Sequence, residues 1–394
     1  MKANKFVRFL CLLLTLACCG GVLVALPVAA ASGDSSAQAN LSDMKKYLAA
    51  DSYAAYITDK ISRGILPGRA GVLISSPNLG ASSEGAKLLD SDAAWQESVS
   101  SDTHDFHYTG NREEDHSGAV LSPATGATAF EIVVPEGGAG LYYIAIQYYS
   151  LTRNSKVSSI ERKLYIDGEL PFSEANLISL NKAWTYKYKV GTDADGNDIY
   201  AEAADAAGAW DKDRDNLGFS QDLNGNDLTP TITQFGRWQT YLCADSEGYS
   251  SDYYRFYLTE GKHTITLDAI REEVVIGDLL VVPTDDAEYG VPTYSEYLEK
   301  YRGQPDAPAG TKVSFEAEKP SIVSDSSVAM TNNKNSAITS PSSPFSDLYN
   351  VIGASSFSSV GQWAAYNFTV PTSGMYEISM RYLQSALEGM FISR

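Results

Sequence analysis

The sequence predicts an all-β protein: two β-sandwich units joined by short helices, the second incomplete. Three observations carry this. A hairpin-like motif occurs twice, short alternating runs are parted by Gly and Asx turns, and no long amphipathic helix interrupts them. The motif reads Phe130-Glu131-Ile132-Val133-Val134-Pro135, then Gly140-Leu141-Tyr142-Tyr143-Ile144 and Tyr148. It returns as Tyr366-Asn367-Phe368-Thr369-Val370-Pro371, then Gly374-Met375-Tyr376-Glu377-Ile378 and Tyr382. Alternation gives two half-buried strands, Pro ends the first because it cannot donate to a ladder, and Gly permits the turn.

Residues 1–31 read as a secretory signal. Lys2, Lys5 and Arg8 precede the uncharged stretch Phe9 to Ala31, and Ala29-Ala30-Ala31 offers a small-residue cleavage site. The stretch is also long enough to cross a bilayer of roughly 30 Å, so an uncleaved anchor is the alternative, and Cys18 and Cys19 give a weaker lipidation reading. The expected location is extracellular or at the cell surface, with membrane contact only through this segment. Cys11, Cys18 and Cys19 fall inside it, which leaves Cys243 without an internal partner. Cys243 is then either a small buried apolar residue or a reactive thiol.

Residues 32–65 form a linker and a short helix, in which Tyr47, Leu48, Tyr53, Tyr56 and Ile57 have helical spacing. The first sandwich spans 66–290, with strand-like runs at Arg162–Ile166, Tyr253–Leu258, His263–Ile270 and Val274–Val282 and turns at Asp167-Gly168, Asn224-Gly225 and Glu260-Gly261. A helical linker occupies 291–310, where Tyr294-Ser295-Glu296-Tyr297-Leu298 matches Tyr53-Ala54-Ala55-Tyr56-Ile57. These tyrosines are expected to pin each helix to its sandwich. The second unit, 311–394, stops at Ile392-Ser393-Arg394, where the first continues through Ile160-Glu161-Arg162 into another strand. It reads as part of a longer chain, the alternative being a unit with unpaired strand edges.

The chain has 49 Asp+Glu against 30 Lys+Arg, a formal charge of −19, which argues against nucleic acid or anionic lipid as a partner. Its 25 tyrosines suit contact with sugars, since each offers an apolar ring and a hydroxyl.

Gly361-Gln362-Trp363-Ala364-Ala365-Tyr366-Asn367-Phe368-Thr369-Val370-Pro371 with Gly374-Met375-Tyr376 resembles the central hairpin of galactose-binding-like carbohydrate-binding modules of families 6 and 35. Phe315-Glu316-Ala317-Glu318 resembles their opening strand. The resemblance implies jelly-roll sandwiches and a structural calcium held by Glu316 and Glu318. Ile160-Glu161-Arg162-Lys163-Leu164-Tyr165-Ile166-Asp167-Gly168-Glu169-Leu170-Pro171-Phe172, Arg214-Asp215-Asn216 and Gly225-Asn226-Asp227-Leu228-Thr229-Pro230 resemble the N-terminal region of large Gram-positive extracellular solute-binding proteins. In that family tandem modules precede an ABC-transporter sugar-binding domain, which implies a permease as a partner through a domain this sequence lacks. Asp278 in Val275-Ile276-Gly277-Asp278-Leu279-Leu280 matches the modules' last-strand acid, or is a strand-edge Asp bonding backbone.

Sugar binding needs ring faces and planar polar side chains. Trp210 to Tyr254 is richest in both, so Trp210 and Tyr249 are the expected platforms, with Asn216, Asp227 and Arg237 as polar partners. Trp238, Tyr253 and Trp363 are expected in the core. Asp211-Lys212-Asp213-Arg214-Asp215 lacks the Gly and flanking helices of an EF-hand, while Asp193–Asn197 and Asp222–Asn226 read as ordinary turns. His104 and His107 with Asp105 form a zinc-like grouping, for which solvated loop histidines are the favoured reading. No nucleophile elbow, phosphate-cradling loop or HExxH is present, so no catalytic residue is expected. The sequence therefore points to an exported glycan-binding protein that performs no chemistry. The alternatives are the binding region of a secreted glycoside hydrolase and a spacer or adhesin.

Overall fold

The computed structural model describes residues 50–80, 83, 85–89, 119–152, 157, 159–202, 218–250, 252–285, 293–359 and 361–383. The signal segment, the histidine-bearing loop with His104, His107 and His116, and Trp210 and Asn216 lie outside this set. The chain divides into Met1–Ala49, also outside it, and a compact unit, Ala50–Arg394, that holds every described element.

The described residues are all-β apart from two short α-helices and short 3-10 turns. Helix α1 (Tyr53–Ser62) starts where the Ser52 hydroxyl accepts the Ala55 N–H at 3.3 Å. Strands β1 (Leu73–Ile74), β2 (Ser76–Asn78), β3 (Lys87–Leu89), β4 (Ala119–Ser122), β5 (Ala127–Val134), β6 (Gly140–Tyr149), β7 (Ser159–Ile166) and β8 (Ile178–Asn181) follow. Then come β9 (Trp184–Thr192), β10 (Asp198–Glu202), β11 (Thr231–Gln234), β12 (Trp238–Leu242), β13 (Phe256–Leu258), β14 (Gly261–Arg271) and β15 (Val274–Pro283). After α2 (Tyr294–Lys300), the strands among the described residues are the two-residue β16 (Ile322–Val323), β17 (Met330–Thr331), β18 (Val351–Ile352) and β19 (Ala364–Ala365).

Two antiparallel sheets make a sandwich. One runs β12-β6-β15-β4-β3, with β1 on β15 and β13 on β6; the other runs β2-β5-β14-β7-β8. Their inner faces share one core, which includes Phe130 and Ile132 of β5, Ile144 and Ile146 of β6, Leu164 of β7, Leu267 of β14 and Ile276 of β15. Every residue of β15 is buried: Val274, Ile276, Leu279 and Val281 join the core between the sheets, and Val275, Leu280 and Val282 pack in separate clusters. Asp278 lies between β6 and β4, at a register shift of this central strand, so it is not an edge residue.

The tyrosines of α1 pack as expected, whereas α2 buries none of its residues, so Tyr294 and Tyr297 do not pin it to a sandwich. Tyr53 and Tyr56 lie against Phe172, with ring centroids 4.9 and 5.2 Å away. The Arg255 N–H donates to the Tyr53 hydroxyl at 3.1 Å, and the Tyr257 N–H donates to the Tyr56 hydroxyl at 2.7 Å.

A third sheet was not anticipated. Strands β9, β10 and β11 turn away from the sandwich and pair with β16 and β19 in the order β10-β9-β16-β19, with β11 on β9. Trp184, Tyr186 and Tyr188 of β9 thereby share a second core with Val323, Val328 and Met330.

The two copies of the motif differ in their pairing. In the first, β14 flanks β5 and β15 flanks β6. In the second, 366–371 and 374–382 form no ladder, and Ile378, Met380 and Tyr382 are 93, 68 and 69 % exposed. A strand needs neighbours to satisfy its backbone, and no counterpart of β14 or β15 occurs among the described residues.

Candidate functional site

The loop after Phe219 is built by an Asx turn. Asp222 Oδ1 accepts the N–H groups of Asn224 and Asn226 at 2.8 and 2.9 Å, and Oδ2 accepts Asn226 Nδ2 at 2.9 Å. Gly225 supplies the positive φ of 76°. Asp193 holds Asp195 and Asn197 in the same way at 2.9 and 2.8 Å. Donors from Asn226 and Asn197 lower the pKa values of Asp222 and Asp193. Both carboxylates are occupied by their own turns, as ordinary turn residues should be.

The Asp222 turn docks onto the chain that follows α2. The Asp347 N–H donates to Asn226 Oδ1 at 2.8 Å, and the Asp227 N–H donates to the Asp347 carbonyl at 2.8 Å. Asp227 Oδ2 accepts the Tyr349 N–H at 2.8 Å, and Oδ1 accepts Gln221 Nε2 at 2.9 Å. The hydroxyls of Thr229 and Tyr349 meet at 2.7 Å.

These contacts frame a cavity of about 1010 Å3. Its ring-bearing wall is Phe219, Phe315 and Tyr349; its polar lining includes Gln221, Asp227, Glu316, Glu318, Lys189 and Lys319. Phe219 and Tyr349 meet edge to face at 5.1 Å, and the Lys319 ammonium sits 5.8 Å over the Phe219 ring. Phe315, only partly covered, stacks on Phe368 at 5.5 Å.

Glu318 is the unusual group. It is 2 % exposed, and its carboxyl bonds its own backbone N–H without receiving a side-chain donor among the described residues. Burial, helped by the nearby charges of Glu316 and Asp227, pushes its pKa up to about 7.

Of the residues singled out from the sequence, Asp227, Glu316 and Glu318 come together here, although they were assigned to separate roles. Arg237 and Tyr249 do not line this cavity. Arg237 is half-buried ahead of β12, where desolvation lowers its pKa. Tyr249 is 92 % exposed on a loop held by Asp245, whose carboxylate accepts the N–H groups of Glu247 and Ser250, each at 2.9 Å. Trp210 and Asn216 lie outside the described residues. Trp238 packs against Tyr149 at 5.6 Å, but Tyr253 is exposed rather than in the core, its neighbour Tyr254 being the buried ring, and Trp363 is half-buried. Phe219, Tyr349 and Lys319 lie in irregular segments that carry no periodic signal, and Lys189, on β9, reaches the cavity through a sheet pairing distant in sequence, so none of the four stands out in the sequence.

Calcium needs six to eight oxygens. Among the described residues no three Asp, Glu, His or Cys side chains cluster as a metal requires, so Glu316 and Glu318 do not by themselves make a calcium set.

Other buried polar groups serve the frame. Arg162 donates to the carbonyls of Arg271, Glu272 and Pro123 at 2.9, 2.8 and 3.2 Å, and Lys182 pairs with Glu272 at 2.8 Å. His263 bridges Asp167 Oδ2 and the Thr259 carbonyl at 2.7 and 2.8 Å. Cys243 is fully buried, which pushes its thiol pKa up and leaves it poorly reactive.

No family model and no curated protein matches the chain. Among solved structures, a cycloisomaltooligosaccharide glucanotransferase of Paenibacillus sp., complexed with cycloisomaltoheptaose, is 16 % identical over 54 % of this chain, with a TM-score of 0.19. The chain spans 17 % of that enzyme's length. At this TM-score the likeness carries no assignment.

Proposed function

We propose that this chain is an exported carbohydrate-binding protein, the N-terminal accessory region of an ABC-transporter extracellular solute-binding protein for sugars. It binds glycan through the cavity between the Asp222 turn and the segment after α2, and performs no chemistry on it. The observation that carries this reading is the cavity lining: the rings of Phe219, Phe315 and Tyr349 beside planar or charged groups at Gln221, Asp227, Glu318, Lys189 and Lys319. A sugar ring needs this pairing of apolar faces and hydroxyl partners. Glu316 and Glu318 here serve as polar lining; a calcium at this place would need further ligands.

The test is a glycan array followed by affinity electrophoresis of the full chain, with and without calcium, beside Phe315→Ala and Tyr249→Ala. The reading expects retention that Phe315→Ala weakens at least about tenfold and Tyr249→Ala leaves intact. Folded protein that binds no plant, host or bacterial glycan would overturn it.

A further inference from the structure

We infer that residues 374–383 form a self-complementary strand through which two copies of this chain pair edge to edge. The first copy of the motif shows what this stretch lacks, since β6 lies between β12 and β15. Its counterpart makes one bridge, between Met375 and Asp306, and every residue from Glu377 to Leu383 is exposed. A row of free backbone donors and acceptors is a template for another strand.

The charges say which strand fits. In an extended strand Tyr376, Ile378, Met380 and Tyr382 share one face, and Glu377, Ser379 and Arg381 share the other. A second copy laid antiparallel about a two-fold axis at Ser379 sets Glu377 opposite Arg381 of the partner subunit, and symmetry makes the same ion pair twice. Neither charge is held by another side chain among the described residues. On the apolar face the same register sets Ile378 opposite the partner's Met380 and Tyr376 opposite the partner's Tyr382, an aromatic pair. Sliding one copy by two residues leaves both ion pairs unmade, and sliding it by four opposes two like charges, so one register is favoured.

The backbone agrees with that register. Met375 turns its N–H and C=O toward Pro305 and Ala307, at 2.9 and 3.0 Å, so in an extended strand those of Tyr376, Ile378, Met380 and Tyr382 lie along the opposite, open edge. These four are the residues that the register joins by hydrogen bonds. Glu377 and Arg381 then fall at the closer, non-hydrogen-bonded positions, where cross-strand side chains interact best. An unrelated strand satisfies the backbone but not both charges.

The experiment is sedimentation velocity of the full chain over about a hundredfold range of concentration, on wild type, Glu377→Arg, Arg381→Glu and an equimolar mixture of the two variants. Wild type should run as a monomer–dimer equilibrium. Each variant alone brings like charges together at both positions, and its dimer should weaken at least about tenfold. The mixture should recover the dimer, because an edge with two arginines meets an edge with two glutamates; this recovery also shows that both variants are folded. A chain carrying both changes keeps its own complement and should dimerise as wild type does. A wild type that stays monomeric overturns the inference and leaves the edge to another segment or protein. So does a dimer that both variants retain, which would place the contact elsewhere. Failure of both the mixture and the doubly changed chain to dimerise would deny the register and overturn it as well. The carbohydrate reading stands or falls separately.

Discussion

Leu141 and Met375, the second residues of the two Gly-initiated segments, make the same backbone contact. The Leu141 N–H donates to the Leu66 carbonyl and its own carbonyl accepts the Gly68 N–H, both at 2.9 Å. The Met375 N–H donates to the Pro305 carbonyl at 2.9 Å and its carbonyl accepts the Ala307 N–H at 3.0 Å. The following residues, Tyr142 and Tyr376, each donate their hydroxyl to the carbonyl four positions earlier, Gly138 and Thr372. The repeat seen in the sequence is thus a repeat of hydrogen bonds as well as residue types.

The glycine ahead of each contact follows from it. A Cβ at Gly140 would lie 2.6 Å from the Gly68 backbone, and one at Gly374 would lie 2.8 Å from the Ala307 nitrogen. Backbone cannot yield as a flexible side chain does, so Gly140→Ala should cost about 3 kcal/mol or more. Thermal unfolding would measure it; a loss below about 1 kcal/mol would show that the strand can shift.

The matched helices should respond differently to the same change. Tyr56→Phe strips the Tyr257 N–H of its acceptor and should cost about 1 to 2 kcal/mol in urea unfolding. Tyr297→Phe should change stability by less than about 0.5 kcal/mol, because α2 buries none of its residues. Equal losses would contradict the packing described for α1.

Glu318 sets a pH response with a definite sign. Its proton binds near pH 7 in the folded chain and near 4.5 in a free glutamate, so the folded state holds an extra proton between those values. Stability should fall as pH rises from about 4.5 to about 7 and level off above, by roughly 3 kcal/mol at most. Glu318→Gln should flatten this part of the profile. Asp193 and Asp222, with lowered pKa values, act the other way: their contribution is lost as pH drops through and below about 4.

The exposed row Ile378, Met380 and Tyr382 should bind an apolar dye and favour self-association. Ile378→Thr should reduce both without lowering the unfolding temperature. Unchanged dye binding would mean that the row is covered in solution.

The sandwich was readable from residue patterns because its strands alternate and its turns use Gly and Asx residues, as at Asp167-Gly168, where φ is 53° and 80°. The packing of Tyr53 and Tyr56 followed from helical spacing. The pairing of β9 with β16 was not readable, since Trp184 meets Val323 through contacts distant in sequence that leave no local period. The same contact brings Asp227 and Glu318 to one cavity. Sequence proximity had instead grouped Asp227 with Trp210 and Tyr249.

A crystal structure of the full chain with the oligosaccharide chosen by the array tests the central claim most directly. The account predicts the sugar in the junction cavity, stacked on Phe219, Phe315 or Tyr349 and within hydrogen-bond reach of Glu318. A sugar seated on the exposed Tyr249 loop, with that cavity vacant, would contradict it.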